Sequence, residues 1–226
     1  MPFNPINLAK RSLRKKKELR FFKNASNKEI FTRIYETNKW GDAATRSGKG
    51  SNLDRTVELR RQLPAALGEL GLKTLLDIPC GDYFWMNETE LQIEHYYGAD
   101  IVASLIQANS ANYADATTTF LHLDLLQDSL PHVEAILCRE CLVHFSYSDA
   151  LLAIDKLKSS RASYLMATHF PELANNSDSV TGKHRPLNMC LPPFNWPAPL
   201  REITEGDAGL RRGRKCLSIW AVGTLP

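Results

Sequence analysis

Thr74-Leu75-Leu76-Asp77-Ile78-Pro79-Cys80-Gly81-Asp82 decides the fold. Its apolar run is too short for a helix and is stopped by an acid, a proline and a glycine. It therefore predicts a buried strand that delivers Asp77 and a tight turn to one edge of a sheet. In open α/β sheets that edge is where ligands bind. Gly81 lets backbone come close to a ligand. The second and third glycines of G-x-G-x-x-G, which serve a pyrophosphate, are missing, and Asp77 and Asp82 repel phosphate while favouring a cation. The same nonapeptide also suits an ordinary strand-to-helix turn with an incidental acid.

Downstream, strand and helix alternate. Strands are predicted at 95–99, closed by Asp100, at 118–123, ending at Asp124, at 134–138 and at 163–168. Helices fall at 104–113 and after Ser146, the latter carrying Leu151, Leu152, Ile154 and Leu157. This alternation implies a parallel sheet with right-handed crossovers. Segments 200–204 and 216–222, joined by a Gly/Arg-rich loop, break the rhythm and should pair antiparallel. Upstream, Ser26-Asn27-Lys28-Glu29 is a capping-box pattern, and Ile30, Phe31, Ile34 and Tyr35 share one helical face. Residues 40–50 read as loop. Ser51-Asn52-Leu53-Asp54 offers a second box for a helix to about Gln62, with Pro64 restarting helix to Leu70 before Gly71.

The chain has 226 residues, 43% of them hydrophobic, enough to bury the core of one α/β domain. No run of about 18 apolar residues exists to span a membrane. The basic N-terminus lacks the apolar stretch of a secretory signal. Five cysteines, an odd number, point to reduced thiols in a cytoplasm. The net charge of +3 is uneven: residues 1–24 carry eight cations against Glu18 alone, +7, leaving −4 for the rest. A basic arm can touch nucleic acid, an acidic membrane surface or a partner, although a solvated helix face is the plainer reading. No aromatic residue lies between Lys10 and Arg20 to stack on bases.

Three separated motifs carry a resemblance. The Leu76 to Asp82 stretch resembles the first motif of class I S-adenosylmethionine (SAM)-dependent methyltransferases, in the D-x-P-C-G-D form of one bacterial branch. Cys138-Arg139-Glu140-Cys141-Leu142-Val143-His144 resembles the C-R-x-C-L-V-H that follows the fourth strand in that branch. Ser47-Gly48-Lys49-Gly50-Ser51, preceded by Trp40, resembles its S-G-x-G-S lid. As a phosphate loop the lid stretch fails, because its glycine spacing is wrong, Gly50 follows Lys49, and no strand precedes it.

The resemblance implies a Rossmann-like α/β fold with helices on both faces of a seven-stranded, mostly parallel sheet and an antiparallel C-terminal hairpin. It implies SAM as cofactor and S-adenosylhomocysteine (SAH) as product. Asp77, Pro79, Cys80, Gly81 and Asp82 would then form the cofactor turn. Asp100 would accept from the ribose hydroxyls and Ile101 would pack on the adenine. Asp124, with Leu123 and Leu125, would hold the adenine amino group, although a surface turn acid is an equal reading of its position. Arg139 would lie beside the sulfonium. Trp40, Arg46, Ser47 and Gly48 would close over the methionine end, and Arg46 or Arg60 would pair with its carboxylate, Arg46 being the favoured one. An NAD enzyme would use the same Asp100, but the missing glycines argue against one.

His144 is the candidate general base, since methyl transfer to a hydroxyl releases a proton and imidazole suits its removal. A histidine that only packs beside Phe145 is the alternative. Cys138-x2-Cys141 lacks the further ligands of a structural zinc site, so no metal is expected. Residues 171–199 hold six of the twelve prolines and no helical pattern. Such long irregular segments are usually functional, which makes this one the expected acceptor-side loop, with Arg185, Asn188, Phe194 and Trp196 contacting the acceptor. The expected organisation is a basic arm at 1–24, a helical cap and cofactor lid at 25–72, and a SAM-binding core at 73–226. The expected activity is methyl transfer to a small-molecule or glycan acceptor, at oxygen. Two alternatives stay open: a nucleic-acid or protein methyltransferase recruited through residues 10–23, and a SAM-binding protein without catalysis.

Overall fold

Seven strands form one sheet in the order β3-β2-β1-β4-β5-β7-β6. They are β1 (Thr74–Asp77), β2 (His95–Asp100), β3 (Thr118–His122), β4 (Ala135–Cys138), β5 (Tyr164–His169), β6 (Arg201–Asp207) and β7 (Arg214–Ala221). The first five run parallel, and β7 inserts antiparallel between β5 and β6. The computed structural model describes residues 5–207 and 213–226. The Gly/Arg-rich connection at 208–212 and the side chains of Lys10 and Arg11 lie outside the described residues.

The central strands are apolar on both faces because both faces are covered. Leu75, Ala135, Leu137 and Met166 point to one side, under α3 (Val57–Glu69) and α4 (Ala103–Tyr113). Leu76, Ile136, Leu165 and Ala167 point to the other, under α5 (Tyr147–Ser159). Two expectations about these helices change. Pro64 does not restart α3; it sits inside one continuous helix. Burial of Leu59, Leu63, Ala66 and Leu67 along one stripe outweighs the roughly 3 kcal/mol that an interior proline costs. In α5 the buried stripe is Ala150, Ala153, Ile154 and Leu157. Leu151 and Leu152 face outward, since small alanines let the helix approach the sheet closely.

The segment at 171–199 supplies the core that a crossover helix would otherwise supply. Leu187, Met189, Phe194 and Trp196 are buried with β5 and β7, and Trp196 meets Trp220 edge to face at 4.9 Å between centroids. The chain's start also forms a helix, α1 (Pro5–Asn24), whose Phe22 packs on Ile30 and Ile34 of α2 (Asn27–Glu36). Ser26 caps α2 through a complete capping box with Glu29. Arg14, Lys15, Lys16, Lys17, Arg20 and Lys23 of α1 are exposed. Among the described residues no helix is long and apolar enough to cross a membrane. All five cysteines are free.

Candidate functional site

The parallel strands end together, and the turns leaving them enclose one cavity. After β1 the chain stays tethered to both neighbouring strands: Ile78 N donates to Leu137 O (2.9 Å) and Cys80 N to Ala99 O (2.8 Å). Gly81 lies at φ 57°, a backbone state that L side chains rarely adopt. A Cβ there would also sit 2.2 Å from Ser47 Oγ. Asp77, Pro79, Cys80 and Gly81 line the cavity from this turn, and Asp100 and Ile101 from the end of β2.

Two carboxyl groups are buried side by side. Asp77 Oδ2 accepts from Tyr96 Oη (2.8 Å), and burial pushes its pKa up to about 7 against that hydrogen bond and Arg139. Asp100 accepts from Val102 N (2.9 Å) and Gly81 N (3.3 Å). Burial raises its pKa to about 6 despite those donors. A hydrogen-bond donor or cation arriving in the cavity would favour the charged form of both groups.

The segment between α2 and α3 folds across this turn and is latched to Asp82. Thr45 Oγ1 (2.8 Å), Arg46 N (2.8 Å) and Ser47 Oγ (2.8 Å) all donate to the Asp82 carboxylate. Asp82 thus spends its oxygens on the covering segment and does not line the cavity, contrary to the expected cofactor contact. Trp40, Arg46 and Ser47 do line it. Gly48, at φ 88°, lies against Trp40 and borders a neighbouring cleft instead.

Beyond β3, Leu123, Asp124 and Leu125 complete one wall. Asp124 Oδ1 also accepts from Leu126 N (2.9 Å), so this acid serves its own turn as well as the cavity. Beyond β4, Arg139 and His144 form the opposite wall. Arg139 is buried with its donors committed: Nε (3.0 Å) and Nη2 (2.5 Å) to Glu205, and Nη2 to Gly50 O (2.7 Å). Lys215 Nζ reaches both Glu205 (2.9 Å) and Glu140 (2.8 Å). Burial alone would raise the Glu140 pKa, but Lys215 and Arg139 hold it down at about 2. Glu140 occupies φ 52°, and such sparsely populated backbone states cluster at functional sites.

His144 lies between Trp40 (4.9 Å between ring centroids) and His184 (5.3 Å). It is 8% exposed, and its Nδ1 is buried without a hydrogen-bond partner. Burial lowers its pKa to about 4, with His184 and Arg185 adding to the effect against Glu140. The imidazole is therefore neutral near pH 7, with its Nδ1 unused.

Arg185, Asn188 and Trp196 do not reach the cavity. Arg185 Nε donates to Ser177 O (2.8 Å) and Nη1 to Leu142 O (3.2 Å). Asn188 Nδ2 donates to Pro171 O and Leu173 O, both at 3.0 Å. These side chains satisfy the buried backbone of an irregular segment that lacks its own ladder, and the expected acceptor contacts do not form through them. From the same segment it is residues 182–184 that border the open cleft beside His144. Phe31 and Tyr35 of α2, Trp85, and the Arg139–Glu205–Lys215–Glu140 network are site features missed from the sequence. Phe31 and Tyr35 carried a signal, the shared helical face. Glu205 and Lys215 carried none, being brought to Arg139 only by the sheet.

This strand order with an antiparallel β7 is the Rossmann-like class I methyltransferase fold. The N-methyltransferase NodS from Bradyrhizobium japonicum WM9, solved with SAH, is 12% identical with a TM-score of 0.58, over 83% of this chain and 97% of its own. The 1,6-didemethyltoxoflavin-N1-methyltransferase of Burkholderia thailandensis, with its namesake ligand and SAH, is 11% identical with a TM-score of 0.56, over 85% of each chain. Magnesium protoporphyrin IX methyltransferase from Synechocystis PCC 6803, with bound SAM, is 17% identical with a TM-score of 0.51, over 91% of this chain and 95% of its own. No family model and no curated protein matches the sequence.

Proposed function

We propose that this chain is a SAM-dependent methyltransferase acting on a small-molecule acceptor, at oxygen. The observation that carries the reading is the pair of buried carboxyl groups, Asp77 and Asp100, facing one cavity at the strand ends with a single close-approach glycine and no phosphate-binding loop. That donor set suits a ligand bearing a ribose and a positive charge but no phosphate. The SAM- and SAH-bound neighbours above support the choice of cofactor, and the ligand of the toxoflavin enzyme supports a small acceptor. Bound there, SAM supplies an electrophilic methyl carbon, leaving SAH.

Each residue has a definite task in this reading. Asp100 accepts the ribose hydroxyls, Ile101, Leu123 and Leu125 enclose the adenine, and Asp124 meets its amino group. Asp77 sets a negative potential in the turn, and Gly81 lets backbone approach. Asp82 holds the lid of Trp40, Arg46 and Ser47 closed, which excludes water. His144 accepts the acceptor's hydroxyl proton at Nδ1, and being neutral it is always in the accepting form at pH 7.

Calorimetry with SAM and with SAH tests the reading. Both should bind the unaltered chain, and Asp77→Ala and Asp100→Ala should each weaken binding about tenfold or more. Absence of binding to either ligand would falsify the proposal.

A further inference from the structure

Beside the cofactor cavity lies an open cleft, and the two share a wall of Trp40, Ser47, Ser51, Glu140 and His144. Its far side is built by Glu18 and Phe22 of α1, Lys39, Lys49 and residues 182–184. Both carboxylates that line it are already neutralised, Glu18 by Lys39 and Glu140 by Lys215. Lys49 and Lys183 are exposed at its mouth and make no ion pair among the described residues. The cleft therefore presents a net positive charge, which Asp42 near Lys49 offsets only in part. The cavity across the wall presents Asp77 and Asp100, so the two chambers offer different charges to a ligand. One further group points to a ligand in the cleft: His144, on the shared wall, whose buried Nδ1 has no partner. A buried acceptor atom left without a donor is destabilising unless a ligand supplies one.

We propose that this cleft receives an anionic, hydroxyl-bearing small molecule, its acidic group held by Lys49 and Lys183 and its hydroxyl donating to His144 Nδ1. The inference rests on the methyltransferase reading for its purpose, naming the acceptor's class. Its binding chemistry stands on the cleft alone. A phosphate and a carboxylate share the required charge. The exposed cations of α1, on the helix that carries Glu18 and Phe22, extend the positive field around the entrance and draw such a molecule in.

The test titrates glucose 6-phosphate, glucuronate and glucose into the full chain, with and without saturating SAH, by calorimetry and by NMR of 15N-labelled histidine. The two anions should bind and shift the His144 Nδ1 resonance, and glucose at equal concentration should bind far more weakly. Added sodium chloride should weaken the anions. Replacing both lysines, Lys49→Ala with Lys183→Ala, should weaken them about tenfold or more while leaving SAH affinity and the melting temperature unchanged. The tighter of the two anions assigns the acidic group as phosphate or carboxylate. Equal binding of glucose and the anions, no anion binding, or anion binding indifferent to the double substitution overturns the inference. SAH affinity, measured in the same samples, reports separately on the methyltransferase reading.

Discussion

Asp77→Asn separates what the turn does for folding from what it does for binding. The Asp77 carboxyl is 2% exposed, so solvent screens it little, and its pKa stands at about 7 instead of 3.8. Three pKa units correspond to roughly 4 kcal/mol. The native state holds this proton more tightly than the unfolded chain does. Nothing is lost below about pH 4, stability falls as pH rises towards 7, and the loss is complete above it. Of the total, about 2–3 kcal/mol develops between pH 5 and pH 8. Asparagine keeps the volume and the acceptor for Tyr96 Oη but never ionises. Urea unfolding of the cofactor-free proteins at both pH values measures the difference. The variant should lose less stability than the parent across that interval, by the 2–3 kcal/mol just derived, while binding SAM and SAH more weakly. Groups common to both proteins largely cancel. Parallel stability curves for the two proteins would refute the burial argument.

Four further outcomes are expected. Gly81→Ala should destabilise by about 1–3 kcal/mol and weaken SAH binding, since the new methyl meets both a positive φ and Ser47 Oγ; thermal melts with and without SAH measure it. His144→Ala should lower turnover about 10²-fold or more with SAH affinity kept. In the unaltered chain the lowered pKa places no histidine inflection from this group between about pH 6 and 8. Glu205→Gln leaves Arg139 buried without its main counter-charge and should destabilise by about 3–5 kcal/mol in chemical unfolding. Trp196→Ala should destabilise by about 3–5 kcal/mol without changing SAH affinity, and a selective loss of acceptor turnover at unchanged stability would contradict its placement in the core.

The strand ends were legible because each is marked locally. The β1 run stops at Asp77-Ile78-Pro79, β2 stops at Asp100, and the hairpin shows as two apolar runs about a polar connection. Those marks placed Asp77, Asp100 and Asp124 at the ligand edge, and the resemblance to methyltransferase motifs named most of the other lining residues in advance. Features requiring three dimensions were not legible. Leu151 and Leu152 look like a core face until the sheet selects the alanine side of α5. Aromatic and polar residues after Pro171 look like ligand contacts until Trp196 is seen on Trp220 and Asn188 on backbone carbonyls. Asp82 reads as a cofactor acid because its latch to Thr45 and Ser47 spans more than thirty residues of sequence.

The ion pairs that close the wall beside β4 tie the middle of the chain to its last two strands. Arg139 follows β4, its counter-charge Glu205 lies on β6, and Lys215 of β7 pairs in turn with Glu205 and Glu140. Without β6 the Arg139 guanidinium would lose the carboxylate that accepts from two of its nitrogens. One wall of the chamber therefore depends on charge carried to it by the last two strands of the sheet.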